Sequence, residues 1–267
     1  MADSTRYVIG TSGYSFADWV GTFYPPGTAQ RGMFAQYVRH FSTVELNFTF
    51  YRLPTARTLE SLGSTCPADF TFWVKANQKT THERDRTVAG EFLANLQPLR
   101  STGKLAGVLM QFPQSFHRTV ENRKYLAAAV EDFASVPLAA EFRHRSWDHV
   151  STVASLRERN VTLVIPDVPE IPGLYRPSPT VTTRTGYLRL HSRDASKWYA
   201  GMADRYDYSY SDKELGDILT DWYALEKDVD KVYAFFNNCH RGQAARNAEA
   251  FRRILGQIPS DRGTVGP

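Results

Sequence analysis

Cysteine is scarce in this chain: the two present, Cys66 and Cys239, lie far apart and fit no C-x-x-C or Cys/His spacing. That excludes a disulfide scaffold and the common zinc arrangements, and makes a reducing compartment, the cytoplasm, the expected location. No window approaches the 18 or more apolar residues of a membrane span, and Met1 to Thr5 lacks the basic and apolar regions of a signal peptide. Neither a membrane partner nor secretion is expected. Long Lys/Arg runs are missing too: 32 basic and 28 acidic side chains are interspersed along 267 residues, leaving a formal charge of +4. Such a balance permits an anionic ligand without requiring nucleic acid. Also absent are the G-x-x-x-x-G-K-[ST], H-E-x-x-H, G-x-S-x-G and EF-hand strings, so the chemistry must be sought elsewhere.

What is present is a repeating pattern. Short apolar strand candidates recur at Tyr7 to Gly10, Thr43 to Leu46, Thr71 to Lys75, Ala106 to Gln111, Leu138 to Glu141, Thr162 to Ile165, Tyr187 to Leu190 and Lys231 to Phe235. Between them run helical spacings such as Met33, Phe34, Tyr37, Val38 and Phe41, or Tyr125, Leu126, Ala129, Val130 and Phe133. Eight βα units in about 250 residues predict an α/β fold of the TIM-type (β/α)8 barrel class. The proline-rich stretch Pro166 to Pro179 reads as one long loop between strands six and seven, not as a linker, so a single domain over 1–255 is expected. A flexible tail is expected over 256–267.

Nearly every strand candidate carries a polar residue at its carboxyl end, where a parallel barrel builds its active site. Side chains alternate faces along a strand, so Glu45/Asn47, Glu141/Arg143 and Arg189/His191 are pairs that each share one face. With Leu46, Phe142 and Leu190 turned toward the helices, these pairs point into the barrel mouth and must satisfy one another or a ligand. Both readings are open: an ion network that holds the barrel top, or a ligand site. Glu45, Lys75, Glu141, Asp167 and His191 are the candidate catalytic residues. Asn47, Tyr51, His82, Gln111, Arg143, Arg189, Arg193, Tyr208, Asn237, Asn238 and Gly242 are the candidate substrate-binding residues. The segment Phe236 to Gln243, which leads into a helix from Ala244 to Leu255, is placed for phosphate binding by the helix start, with Arg189, Arg193 and Arg241 nearby. Turn shaping by Asn238 and Gly242 is the competing reading. Trp198, Tyr199, Tyr206, Tyr208 and Tyr210 form either a lid or an aromatic seal after strand seven. No metal is assigned and the cofactor is unknown, although Glu45, Glu141, Asp167 and His191 have the donor atoms of a divalent site.

At these same residues the chain resembles the DUF72 family, also called YecE-like proteins. The likeness spans about Gly10 to Phe251. It rests on Gly10 to Ser15 with Trp19, Gly21 and Phe23-Tyr24-Pro25, on Val44 to Tyr51, on Lys75 with Thr81-His82, and on Gln111-Phe112-Pro113 with Ser115-Phe116. It continues through Glu141 to His144 with Ser146-Trp147, Asp167 with Pro169, Arg189 and His191, and Phe235 to Asn238 with Gly242, Ala244 and Asn247-Ala248. This resemblance implies a TIM barrel and leaves the activity open. A weaker likeness to endonuclease IV-type barrels implies metal-dependent cleavage of nucleic acid.

Three functions are therefore expected to compete. The first is an enzyme acting on a small phosphorylated or carboxylated substrate, with Glu141 or Glu45 as general acid or base and Lys75 stabilising an oxyanion. A metal-dependent phosphodiesterase acting on nucleic acid is the second. A non-catalytic module that binds a metabolite or partner is the third.

Overall fold

The structure is a computed structural model and describes residues 6–256. Apart from Gly256, the expected tail lies outside the described residues. Eight strands alternate with helices: β1 (Tyr7–Thr11), β2 (Thr43–Leu46), β3 (Thr71–Lys75), β4 (Leu105–Gln111), β5 (Leu138–Glu141), β6 (Val161–Asp167), β7 (Thr185–Leu190) and β8 (Lys231–Phe236). All pairings are parallel, in the order β1-β8-β7-β6-β5-β4-β3-β2, and a bridge between Ser12 and Glu45 draws β1 to β2. This is the (β/α)8 barrel that the alternation predicts. Below that bridge Tyr37 wedges the two strands: its hydroxyl accepts from Thr11 N (3.0 Å) and donates to Thr43 O (3.0 Å), replacing ladder bonds. Among the described residues no helix is long and apolar enough to cross a membrane.

Strand β6 runs to Asp167, so Pro166 belongs to the strand and not to the expected loop. Proline is tolerated there because β5 pairs with β6 only as far as Leu163, while Asp167 O still accepts from His191 N on the β7 side.

Alternation along the strands sorts the core into two shells. Trp73, Leu109, Ala139, Val164, Tyr187, Tyr233 and Phe235 pack inside the barrel as their own cluster. Residues of the opposite parity, such as Val74, Met110, Phe142, Ile165 and Leu190, join the larger shell under the helices. The interior is filled by aromatic rings: Trp73 stacks on Tyr187 at 4.7 Å between centroids and meets the edge of Tyr233 at 5.5 Å. Gly107 makes room for that indole, since a Cβ there would lie 2.5 Å from the Trp73 ring. Two positions beyond Trp73, Leu109, Ala139, Tyr187 and Phe235 come Lys75, Gln111, Glu141, Arg189 and Asn237. The aromatic plug is thus the floor on which the polar ring stands.

Candidate functional site

Above the plug the mouth opens into a cavity of about 390 Å³. Asn47, Lys75, Gln111, Arg143, Arg189 and Asn237 line it from the strand ends, and Ser12, Tyr14 and Phe16 from the segment after β1. Phe48, Phe50 and Tyr51 come from the short helix Phe48–Tyr51, and Tyr206 from the long segment after β7. That short helix is tied to the neighbouring strand: Thr49 Oγ1 donates to Lys75 O (2.6 Å), and Asn77 Nδ2 donates to Thr49 O (2.9 Å). The cavity therefore has a charged and amide floor with largely aromatic walls.

Beneath it lies a buried ion network. Arg189, 1% exposed, spans two carboxylates: its Nη2 reaches Glu45 Oε1 at 2.7 Å and its Nη1 binds Glu141 Oε2. Glu45 also accepts from Tyr187 Oη (2.7 Å) and Asn47 Nδ2 (3.0 Å). Arg143 Nε lies 2.6 Å from the other oxygen of Glu141. Burial acts to raise the Glu141 carboxyl, but the Arg143 and Arg189 guanidiniums outweigh it and hold the group well below the usual carboxylate range. Asn237 Nδ2 lies 2.9 Å from His191 Nδ1, and His191 Nε2 lies 3.3 Å from both Glu141 Oε1 and Arg143 Nη2. Burial, reinforced by Arg143, pushes His191 down to about 3, so the ring is neutral at physiological pH.

Lys75 is held differently. Its Nζ donates to the neutral Gln111 Oε1 at 2.8 Å and lies 4.2 Å from the centroid of the Phe50 ring. Among the described residues it makes no ion pair. Burial first, then the positive charge of Arg189, lowers it to about 7 against the partial opposition of Glu141 and Glu45. Lys75, Arg143 and Arg189 face only two carboxylates, Glu45 and Glu141, so the mouth carries one surplus positive charge whenever Lys75 is protonated. Beside Arg143 Nε, which is held by its ion pair with Glu141, three buried atoms of cavity-lining residues, Ser12 Oγ, Asn47 Oδ1 and Arg189 Nε, have no hydrogen-bond partner among the described residues. Each such group costs about 1–3 kcal/mol if left without any partner.

Of the sequence-predicted residues, the cavity gathers Asn47, Tyr51, Lys75, Gln111, Arg143, Arg189 and Asn237. Glu45, Glu141 and His191 are fully buried under it and support its cations without lining it. Asp167 needs correction: it shares parity with Leu163 and Ile165, faces the outer shell, and does not reach the mouth. There it takes Arg193 Nη2 (2.7 Å) and Nε (3.0 Å) and Tyr210 Oη (2.8 Å), which places Arg193 outside the mouth as well. The four residues considered for a divalent metal are accordingly not brought together, and among the described residues no group of three or more His, Cys, Asp or Glu is arranged to hold one.

The expected phosphate site after β8 is also not formed. Asn238 is buried and donates to Tyr208 O (2.7 Å) and Asn247 Oδ1 (2.8 Å), which is the turn-shaping role. Arg241 N donates to Asp18 Oδ2 at 2.7 Å, so a carboxylate of the chain itself occupies the region before helix Gln243–Ile254. Gly242, at φ 72°, is the left-handed residue that turns the chain into this helix. Tyr208 binds Glu214 and packs edge-on against Tyr210, and Trp198 is buried, so this part of the segment is an aromatic seal; Tyr206 alone of the five reaches the cavity. His82 sits behind the wall, edge-on to Phe50 at 4.8 Å.

Ser12, Tyr14, Phe16, Phe48, Phe50 and Cys239 were not among the sequence candidates, yet they line the cavity. Ser12 follows the rule that marks the other strand ends and was legible from it. The aromatic wall gives no such signal, because aromatic residues after a strand read equally well as core.

Fold and mouth together define a TIM-barrel protein with a charged, aromatic-walled pocket at the C-terminal face. The chain belongs to the DUF72 family: the family model described as "Protein of unknown function DUF72" matches residues 8–264. It is 31% identical to the UPF0759 protein YunF of Bacillus subtilis, over 92% of this chain and 94% of that protein. Among solved structures, a DUF72 family protein of Thermotoga maritima superposes with a TM-score of 0.87 at 37% identity, covering 94% of this chain and 99% of the other. A DUF72 family protein of Enterococcus faecalis gives 0.84 at 26% identity, with 98% and 99% covered.

Proposed function

We propose that this protein is an enzyme acting on a small anionic substrate, carboxylated or phosphorylated and carrying a flat apolar body, in the mouth of the barrel. The single observation that carries this reading is the charge imbalance of a pocket whose walls are aromatic. Three cations meet two carboxylates there, and the surplus cation, Lys75, lies at the cavity surface. Arg143 and Arg189 supply fixed positive charge, held in place by Glu141 and Glu45. Phe16, Phe50 and Tyr206 offer ring faces to the substrate body.

The proton-transfer role moves from Glu141 or Glu45 to Lys75. Both carboxylates are fully buried and engaged by guanidinium groups, whereas Lys75 is exposed to the cavity and titrates near neutral pH. Titration calorimetry with phenyl phosphate, phenylacetate and neutral phenylacetamide tests the reading. The two anions are expected to bind and the amide to bind at least tenfold more weakly, with Arg143→Gln lowering anion affinity roughly 10-fold. Equal binding of the amide, or no effect of Arg143→Gln, would refute it.

A further inference from the structure

Arg143 and Arg189 are both paired with carboxylates, whereas the only hydrogen-bond partner of Lys75 Nζ among the described residues is a neutral amide. An amine near two guanidiniums, packed on an aromatic face and open to a cavity is the setting in which lysine acts as a nucleophile toward carbonyl carbon. We propose that Lys75 Nζ forms an imine with the ketone of an aromatic 2-oxo acid, whose carboxylate is held by Arg143 and whose ring lies among Tyr14, Phe16 and Phe50. This rests on the anion-binding reading of the mouth and names the substrate class for it.

The step balances without an added reagent. The Nζ lone pair forms the C–N bond while the carbonyl π pair moves to oxygen, which takes up a proton. Nζ gives up one proton, the hydroxyl leaves with a second as water while the nitrogen lone pair closes the C=N bond, and the iminium N–H then returns that second proton to solvent. Amine plus ketone gives imine plus water, with no change in oxidation level. The Arg189 guanidinium, in the cavity floor with its Nε unpartnered among the described residues, is the positive group nearest to hand as the oxygen becomes negative. Titration near 7 leaves much of Lys75 unprotonated at neutral pH, where an ordinary lysine is almost wholly charged.

The test is reductive trapping of the full-length protein with phenylpyruvate and cyanoborohydride at pH 7.5, followed by peptide mass mapping. Lys75 should gain the mass of the acid less one oxygen atom, at a rate roughly 100-fold above any surface lysine. Phenylacetate, which lacks the ketone, should compete. In Lys75→Arg, which has no nucleophilic amine, the adduct should vanish. Phenylacetate binding to the wild type without an adduct at Lys75, or with adducts only on other lysines, would overturn the imine and leave the anion-site reading standing. Absence of both binding and adduct would overturn the two together. Mapping the site in the wild type keeps the test valid even if the variant fails to fold.

Discussion

Two clusters of this molecule are built from the same residue types and differ in how they close. Beside the outer face of β6, one carboxylate meets one guanidinium: Asp167 accepts from Arg193 at 2.7 and 3.0 Å and from Tyr210 at 2.8 Å. At the mouth, two carboxylates bind two guanidiniums and leave the third cation, Lys75, outside any ion pair among the described residues, and Ser12 Oγ, Asn47 Oδ1 and Arg189 Nε are left unpartnered there. A cluster that satisfies its own charges and hydrogen bonds has a structural role, whereas one with surplus charge and unmet buried atoms is a candidate binding site. Polar residues at a strand end are therefore not enough to mark a site. Their closure has to be examined.

The comparison breaks most visibly at Arg189. Replacing it with methionine leaves Glu45 and Glu141 buried without the cation between them, and a loss of about 3–5 kcal/mol is expected in urea unfolding. An unchanged midpoint would show that the network does not hold the mouth together. Arg193→Met is the matching cut in the outer cluster. It should cost about 1–3 kcal/mol by the same measurement, since Asp167 keeps Tyr210, and should leave the phenyl phosphate affinity unaltered. Weakened binding in that variant would make the two clusters one functional unit.

Lys75 sharpens the contrast through pH. Its folded value is lowered to about 7 from an ordinary 10.5, so between those values the unfolded chain holds the proton more firmly. The penalty on the folded state is complete below pH 7 and is relieved as pH rises toward 10.5. Wild type should thus gain stability relative to Lys75→Met across that window, by about 1–2 kcal/mol once solvent access at the mouth is taken into account. Anion affinity should fall over the same rise through pH 7, as the surplus charge is lost. Thermal melts and calorimetry at pH 6 and 9 check both signs. The smallest effect is expected from Asp18→Asn, which removes the carboxylate on Arg241 N and should cost about 0.3–1 kcal/mol in thermal unfolding.

Much of the mouth was legible before any coordinates. Glu45/Asn47, Glu141/Arg143 and Arg189/His191 flank single apolar residues, and spacing by two fixes a common face whatever the fold around it. Asp167 was not legible in this way. Leu163, Val164 and Ile165 are apolar on both faces, as in any strand of a covered parallel sheet, so alternation gives no hint of which face looks inward. The pre-empted phosphate site escaped for another reason: Asp18 and Arg241 meet only because β1 and β8 are neighbours in the sheet.

The order of strands and helices, the barrel and the ring of polar strand ends followed from local rules, since periodicity and chain direction are properties of each segment alone. Which guanidinium binds which carboxylate, which cation is left over, and which buried atoms go unpartnered are relations between segments far apart in the chain. Only closure of the barrel brings those segments to hydrogen-bonding distance, and so only the tertiary structure decided that the surplus charge falls on Lys75.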